Sequence, residues 1–140
     1  MVDRLTPEQR SRLMRRIRSR DTGPERSVRS MLHRLGCRFR LHRKDLPGTP
    51  DIVLPSRGVV VFVHGCFWHG HICSGGKLPA TKIEYWGQKI EANRRRDKRA
   101  GRRLRSMGWR VITVWECELK RPLTLERRLL RHLNADRYAN

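Results

Sequence analysis

The chain of 140 residues has the size of one domain, and its composition excludes several classes of protein. It contains 33 lysines and arginines against 13 acidic residues, which gives a formal net charge of +20. Arginines interrupt the first twenty residues, which argues against a signal peptide. The longest apolar run, at 59–63, is too short to span a bilayer, which needs about 20 residues. Four cysteines are also too few for a secreted disulfide-rich domain, so we expect a soluble intracellular protein without a membrane partner.

Two basic segments flank a neutral centre. Residues 1–44 hold 14 basic and 4 acidic groups, residues 45–93 hold 4 of each, and residues 94–140 hold 15 basic and 5 acidic groups. Such a field attracts polyanions and accelerates their association with the protein. Nucleic acid is therefore the predicted partner, and a merely solvated basic surface or a ribosome-associated protein is the alternative.

Local patterns predict secondary structure in the order ααβββαβα. The predicted elements are, in chain order, a basic helix at 7–19, a helix from Thr22 to Gly36, strands at 37–41, 51–54 and 59–64, a long helix from Thr81 to about Met107, a strand at 109–115 and an amphipathic helix around 125–133. The first helix has too few apolar residues for a core helix and is expected to be an arm that orders on DNA. This order predicts an α/β fold with a small mixed sheet flanked by helices.

A cluster of soft ligands follows the third predicted strand. The candidates are Cys66, His69, His71, Cys73 and, after the last strand, Cys117. Structural zinc needs four such ligands in a tetrahedron. His71 and Cys73 can reach one ion that Cys66 and Cys117 complete, which leaves His69 for another role. Unrelated buried thiols and surface imidazoles are the alternative, and Cys37, on the apolar face of its strand, is predicted to lie in the core.

A second group of residues suits phosphodiester chemistry. Asp51 begins one predicted strand and His64 ends the next, so adjacent strands could bring them to one edge of the sheet. A carboxylate can bind magnesium, and a histidine can move a proton near neutral pH. A turn or cap role for Asp51 is the alternative.

Two further acids are candidates for the same site. Asp97 is the only acid within a basic run of the long helix, on the stripe of Ile90 and Leu104, where an orienting contact to a histidine would satisfy it. A salt bridge to a neighbouring arginine is an equal alternative. Glu25 stands three residues after Thr22, so its simplest interpretation is the acid of a capping box.

Large aromatic residues lie beside these clusters. Phe67 and Trp68 fall inside the His/Cys loop, and Tyr85 and Trp86 lie in the first turn of the long helix. Rings on such a loop could insert between base pairs and unstack them. Core packing is the alternative, and it suits the strand residues Trp109 and Trp115 well.

At these residues the sequence resembles the very-short-patch-repair DNA mismatch endonuclease (Vsr) family. The matching segments are 14–17, 20–22, 46–51, 64–73, 79–81, Trp86, 93–97, 108–111 and 114–117. They cover roughly residues 10–120, and the segment His-Gly-Cys-Phe-Trp-His at 64–69 is highly specific.

The resemblance implies a restriction-endonuclease-like fold, related to the PD-(D/E)xK nucleases, with structural zinc. It also implies magnesium-dependent nicking of one DNA strand 5′ to the thymine of a T:G mismatch, the product of 5-methylcytosine deamination. The location would be the bacterial cytoplasm at the nucleoid, with a possible handover to MutL-type repair proteins. We expect residues 1–22 to form a basic arm on DNA, residues 23–140 to form the endonuclease domain, and the protein to act as a monomer, because one mismatch lacks two-fold symmetry.

The resemblance also assigns roles residue by residue. Asp51 would bind magnesium with the backbone carbonyl of Val63, and His69 would be the general base, supported by His64 and Asp97 with Glu25 nearby. The zinc ligands would be Cys66, His71, Cys73 and Cys117, and the intercalating residues would be Phe67, Trp68 and Trp86. One departure from the wider superfamily is plain: its (D/E)xK element is replaced here by Phe62-Val63-His64, so histidine chemistry must replace an acid and a lysine.

Two other hypotheses remain open. A zinc-stabilised DNA-binding protein without catalysis would use the basic segments, the zinc and the aromatic residues equally well. A nuclease of different specificity would keep the chemistry and change the substrate. Strand nicking on a panel of duplexes separates all three.

Overall fold

The computed structural model describes residue 6, residues 22–66, residue 71 and residues 83–134. Two predicted segments lie largely outside these residues. One is the proposed arm at 1–22 with its predicted helix, of which only Thr6 and Thr22 are described, and the other is most of the His/Cys loop. The helices are α1 (Gly23–Arg34), α2 (Ile83–Ser106) and α3 (Pro122–Asn134), and the strands are β1 (Arg40–Leu41), β2 (Ile52–Leu54), β3 (Val59–His64) and β4 (Arg110–Trp115). Short 3-10 helices occupy Pro55–Arg57 and Glu116–Lys120.

Helix α1 begins and ends where the sequence predicts. The Thr22 hydroxyl accepts a hydrogen bond from the Glu25 N–H at 3.4 Å, which caps the first turn. Gly36 follows the last turn with a φ of 80°, a left-handed conformation that glycine adopts without a steric cost. Val28 and Leu32 are fully buried on one face of the helix.

The four strands form one mixed sheet in the order β1-β2-β3-β4. Strands β1 to β3 pair antiparallel, and β4 pairs parallel to β3 from Val59 opposite Arg110 to His64 opposite Trp115. Helix α2 provides the crossover that a parallel pair requires. Because β3 and β4 run in the same direction, His64 and the segment after Trp115 reach the same end of the sheet.

The predicted strand at 37–41 is wrong over most of its length. Only Arg40 and Leu41 pair with β2, and Leu41 is exposed. The Cys37 N–H donates to the Leu32 carbonyl, so this residue belongs to the exit of α1, and the three residues of β2 offer little edge for a longer partner. Cys37 is nevertheless buried in the core, as predicted.

The sheet separates two apolar clusters, which makes three layers. Alternate residues of the strands, including Ile52, Val61 and Val114, pack with α1 and α3 on one face. The intervening residues, including Val53, Val60 and Phe62, pack with Leu104 of α2 on the other. His64 follows the same alternation and therefore faces α2.

Helix α2 is the longest element, and its outer surface is strongly basic. It has 24 residues and includes the run Arg94–Arg96, whose members are exposed. In the part of the chain that the structure describes, no helix has both the length and the apolar character needed to cross a bilayer.

Gly48 holds the turn before β2 directly against α2. Its φ is +73°, and a Cβ built there would lie 2.6 Å from the Ala100 Cβ and 3.3 Å from the Phe62 ring. We expect Gly48→Ala to lower the free energy of unfolding by about 2–4 kcal/mol, measured by urea denaturation, because a methyl group overpacks this contact. Gly58→Ala is the matched control, since Gly58 also has a positive φ but open space at its Cβ, and about 1 kcal/mol is expected. Equal losses in the two variants would contradict this explanation.

Candidate active site and metal centres

Asp51 stands at the end of the β2–β3 ladder. Its Oδ2 accepts a hydrogen bond of 2.7 Å from the Val63 N–H, so the carboxylate takes the place of a strand partner just before β2 begins. The half-buried carboxylate is therefore fixed beside the residue that precedes His64. The predicted approach of the two strand ends is present in this geometry.

Glu25 points away from its helix cap and toward Asp51. The Glu25 carboxylate is buried, and its Oε2 lies 3.2 Å from an Arg29 guanidinium nitrogen and 3.5 Å from the His42 Nε2. A buried carboxylate needs a charged partner such as the Arg29 guanidinium, because unpaired burial of a charge is costly. Ligand atoms of Glu25, His42 and Asp51 all lie within 4.8 Å of one another, a grouping that could hold a metal ion.

His64 and Asp97 meet on the α2 side of the sheet. The His64 Nε2 lies 4.0 Å from the Asp97 Oδ1, at ion-pair distance, and the imidazole is buried while the carboxylate is partly exposed. Ile90 and Leu104 of the same helix are buried, as their shared stripe predicts. The structure thus places Asp97 beside the histidine at the end of β3.

A second possible metal centre lies just beyond His64 and Trp115, at the same end of β3 and β4. Ligand atoms of Cys66, His71 and Cys117 lie within 4.8 Å of one another, and the Cys117 Sγ is 3.5 Å from the His71 Nδ1. The His71 N–H donates to the Cys66 carbonyl at 2.9 Å. The chain after β4 therefore delivers Cys117 to the loop residues, as the spacing of the sequence predicts.

A partly buried network fixes the segment that carries Cys117. Glu118 accepts two hydrogen bonds from the Arg128 guanidinium, at 2.9 and 3.1 Å, and a third from the Trp115 N–H at 3.0 Å. Arg128 also donates to the Thr113 carbonyl at 2.8 Å. Paired bonds of this kind restrict both partners, so α3 locks the 3-10 helix at 116–120 onto the end of β4.

Trp115 joins the two groups of residues. Its ring stacks on the His71 imidazole with centroids 4.2 Å apart, and it makes a T-shaped contact with the His64 ring, with centroids 5.3 Å apart. The sequence indicates only a core position for this residue, whereas the fold places it between a candidate zinc ligand and a candidate catalytic histidine.

Several predicted site residues lie outside the described residues. They are Phe67, Trp68, His69 and Cys73. Trp86 is described and is 4% exposed, in edge-on contact with the exposed Tyr85 at 5.1 Å. Its predicted insertion into DNA stays a prediction, and it requires the indole to become more exposed than it is in this conformation.

Sequence reasoning missed Arg29 and His42. No motif connects His42 to Glu25 or Asp51, because the three residues meet only when α1 packs beside the start of β2. Neither residue carries a local signal in the sequence. In the structure His42 has a φ of +48°, which is uncommon for any residue but glycine.

The family described as DNA mismatch endonuclease Vsr matches residues 2–75. A type II nicking enzyme of Xanthomonas oryzae pv. oryzae, V.XorIIP, is 61% identical over 129 residues, which cover 92% of this chain and 95% of the relative. This chain belongs to the Vsr family. The DNA mismatch endonuclease Vsr of Escherichia coli K12 is 48% identical over 111 residues, which cover 79% of this chain and 71% of the relative.

A solved structure shows the same fold. The catalytic domain of the homing endonuclease I-Bth0305I superposes on this Vsr-family chain with a TM-score of 0.57 and 22% identity. The superposition covers 80% of this chain and 94% of that domain. The predicted restriction-endonuclease-like fold is therefore confirmed.

The fold shows what each residue of the segment Phe62-Val63-His64 contacts in this Vsr-family chain. Phe62 packs in the cluster beneath α2, the Val63 backbone binds Asp51, and the His64 imidazole faces Asp97. Successive residues of one strand thus supply packing, a backbone anchor and a titratable ring.

Proposed function

We propose that this DNA endonuclease nicks one strand of duplex DNA 5′ to the thymine of a T:G mismatch, with magnesium as its catalytic metal. The observation that carries the proposal is the Asp51 carboxylate, held at 2.7 Å by the Val63 N–H in a cluster with Glu25 and His42. Such a built carboxylate site at a sheet edge, within a molecule of net charge +20, suits the hydrolysis of a polyanion.

Asp51 and the Val63 carbonyl fit a hard cation. Magnesium prefers carboxylate and carbonyl oxygens. In an antiparallel strand the N–H and C=O of one residue point to the same side, so the Val63 carbonyl faces the side on which Asp51 lies. When bound, magnesium supplies positive charge that polarises the phosphodiester and offsets the charge that develops on it.

The histidines would handle the proton. In this proposal His69 removes a proton from the attacking water, and His64 supports it at the end of β3. Asp97 orients the His64 ring from α2, at the observed 4.0 Å. Glu25 adds negative charge beside Asp51.

Asp97→Asn tests the orienting contact. We expect the single-turnover nicking rate to fall by about tenfold, while the affinity for mismatched DNA stays unchanged, because only the imidazole loses its charged partner. Glu91→Gln is the matched control: it is exposed on the same helix, pairs with Arg95, and raises the net charge by the same amount. An equal loss of rate in both variants would assign the effect to overall charge.

We also propose structural zinc at Cys66, His71, Cys73 and Cys117. The three described members of this set already lie within 4.8 Å of one another, and two thiolates with an imidazole are typical zinc donors. Zinc would fix the loop that carries Phe67, Trp68 and His69.

DNA recognition would use the basic N-terminal segment and the aromatic residues. Residues 1–22 would contact the backbone of the duplex, and Phe67, Trp68 and Trp86 would intercalate beside the mismatch. We expect a monomer on one mismatch, followed by MutL-type repair proteins, at the bacterial nucleoid.

A strand-resolved nicking assay tests the function. The substrate is a duplex with one T:G mismatch, labelled on each strand in turn, with and without magnesium. A magnesium-dependent cut 5′ to the thymine is expected. Cutting of other mismatches or of perfect duplex would favour the second candidate, a nickase of different specificity. This candidate is considered because several relatives are named type II nicking enzymes. Tight binding without a cut on any duplex would contradict both.

A further inference from the structure

His42 occupies an unusual position beside the Asp51 site. It follows β1 with a φ of +48°, and its backbone N–H donates to the Asp51 carbonyl at 3.2 Å. Its side chain is largely buried, and Nε2 lies 3.5 Å from the Glu25 Oε2. The hydrogen bond from the His42 backbone to the Asp51 backbone therefore keeps the imidazole close to the Asp51 site.

The contact with Arg29 shows which way the imidazole lone pair points. The Arg29 guanidinium nitrogen lies 3.1 Å from the His42 Nε2 and 3.2 Å from the Glu25 Oε2. A guanidinium only donates, so Nε2 accepts and the ring proton sits on Nδ1. A cationic group therefore already bridges the two acceptor atoms, and the same lone pairs are those that a metal ion would use.

We propose that His42 Nε2 is a protein ligand of the divalent cation held by Asp51, with Glu25 beside it, and that Arg29 holds this pair before the cation binds. The proposal rests on the proposed function, because it deepens the same metal site. The ligand atoms of Glu25, His42 and Asp51 lie within 4.8 Å of one another, so small side-chain movements would bring them around one ion. Arg29 must then swing away from Nε2 when the ion enters.

A nitrogen ligand changes which metals the site prefers. Imidazole strengthens the binding of later transition metals, whereas magnesium gains little from nitrogen and prefers oxygen. The site should therefore bind Co²⁺ more tightly relative to Mg²⁺ than oxygen ligands alone would allow.

The experiment titrates Co²⁺ into the zinc-loaded full chain without DNA, with Mg²⁺ as competitor. The visible absorption of cobalt reports its binding, and a thiolate charge-transfer band would reveal cobalt in the cysteine cluster. His42→Asn removes the imidazole nitrogen but keeps a residue that tolerates positive φ. We expect it to weaken Co²⁺ binding by about 30-fold and Mg²⁺ competition by less than about threefold.

Further variants make the result decisive. Arg29→Gln is expected to strengthen Co²⁺ binding by about fivefold, because it removes the competing cation. His33→Asn is the matched control, since His33 is exposed at the end of α1, and no change is expected. If His42→Asn leaves the Co²⁺ affinity unchanged while Asp51→Asn abolishes it, His42 is not a ligand and the proposed function stands. If Asp51→Asn also leaves it unchanged, the metal site of the proposed function fails as well.

Discussion

Asp51→Asn is expected to reduce the single-turnover rate of nicking by at least about 1,000-fold, while the affinity for mismatched DNA stays within about threefold. Asparagine keeps the shape of the side chain, and its carbonyl oxygen can still accept from the Val63 N–H. The change therefore removes the negative charge that would hold the metal and leaves the anchor on β3. Rate and affinity are measured on the same end-labelled T:G duplex.

Asp45→Asn is the matched control for this variant. Asp45 lies only a few residues away, but its exposed carboxylate pairs with Arg43, whose hydrogen bond lowers the pKa of Asp45. It raises the net charge by the same amount as Asp51→Asn, and we expect nicking at the wild-type rate. Normal nicking by Asp51→Asn would remove Asp51 from the mechanism, and equally slow nicking by both variants would assign the effect to the change in net charge and not to the metal site.

Cys117→Ala is expected to have the largest effect on stability. Loss of one ligand releases the proposed zinc, and we expect the free energy of unfolding to fall by at least about 3 kcal/mol and the Tm by about 10 °C. The reason is that zinc would join the His/Cys loop to the segment after β4, which Arg128 and Glu118 already fix. Thermal unfolding and the zinc content of the purified protein are the two measurements.

Cys37→Ala separates zinc from the general cost of losing a thiol. Cys37 is buried in the core, away from the cluster, so this variant should lose about 1 kcal/mol and retain its zinc. A chelator should then lower the Tm of the wild type and of Cys37→Ala but not that of Cys117→Ala. A wild-type protein that carries no zinc and ignores the chelator would contradict the proposed site.

The sequence predicts the local features of this fold well. The capping pattern at Thr22 locates the start of α1, and the apolar run at 59–63 locates the buried strand β3. These succeed because the signals lie within a few neighbouring residues. The strand predicted at 37–41 fails because alternation cannot show that Cys37 still hydrogen-bonds back to α1.

The candidate site was predictable only in part. Asp51, His64 and Cys117 stand at strand ends, where side chains from distant segments meet, so their positions in the sequence already indicate a site. Arg29 and His42 carry no such signal. Their partnership with Glu25 depends on how α1 packs beside the turn before β2, a long-range contact that periodicity cannot encode.

The ring of Trp115 between His71 and His64 has a practical consequence for genetics. Both proposed centres lie at the ends of the hydrogen-bonded parallel strands β3 and β4, so a change that displaces these strand ends would disturb both centres. A substitution that inactivates the enzyme at this end of the sheet is therefore not evidence for a chemical role until its zinc content is known.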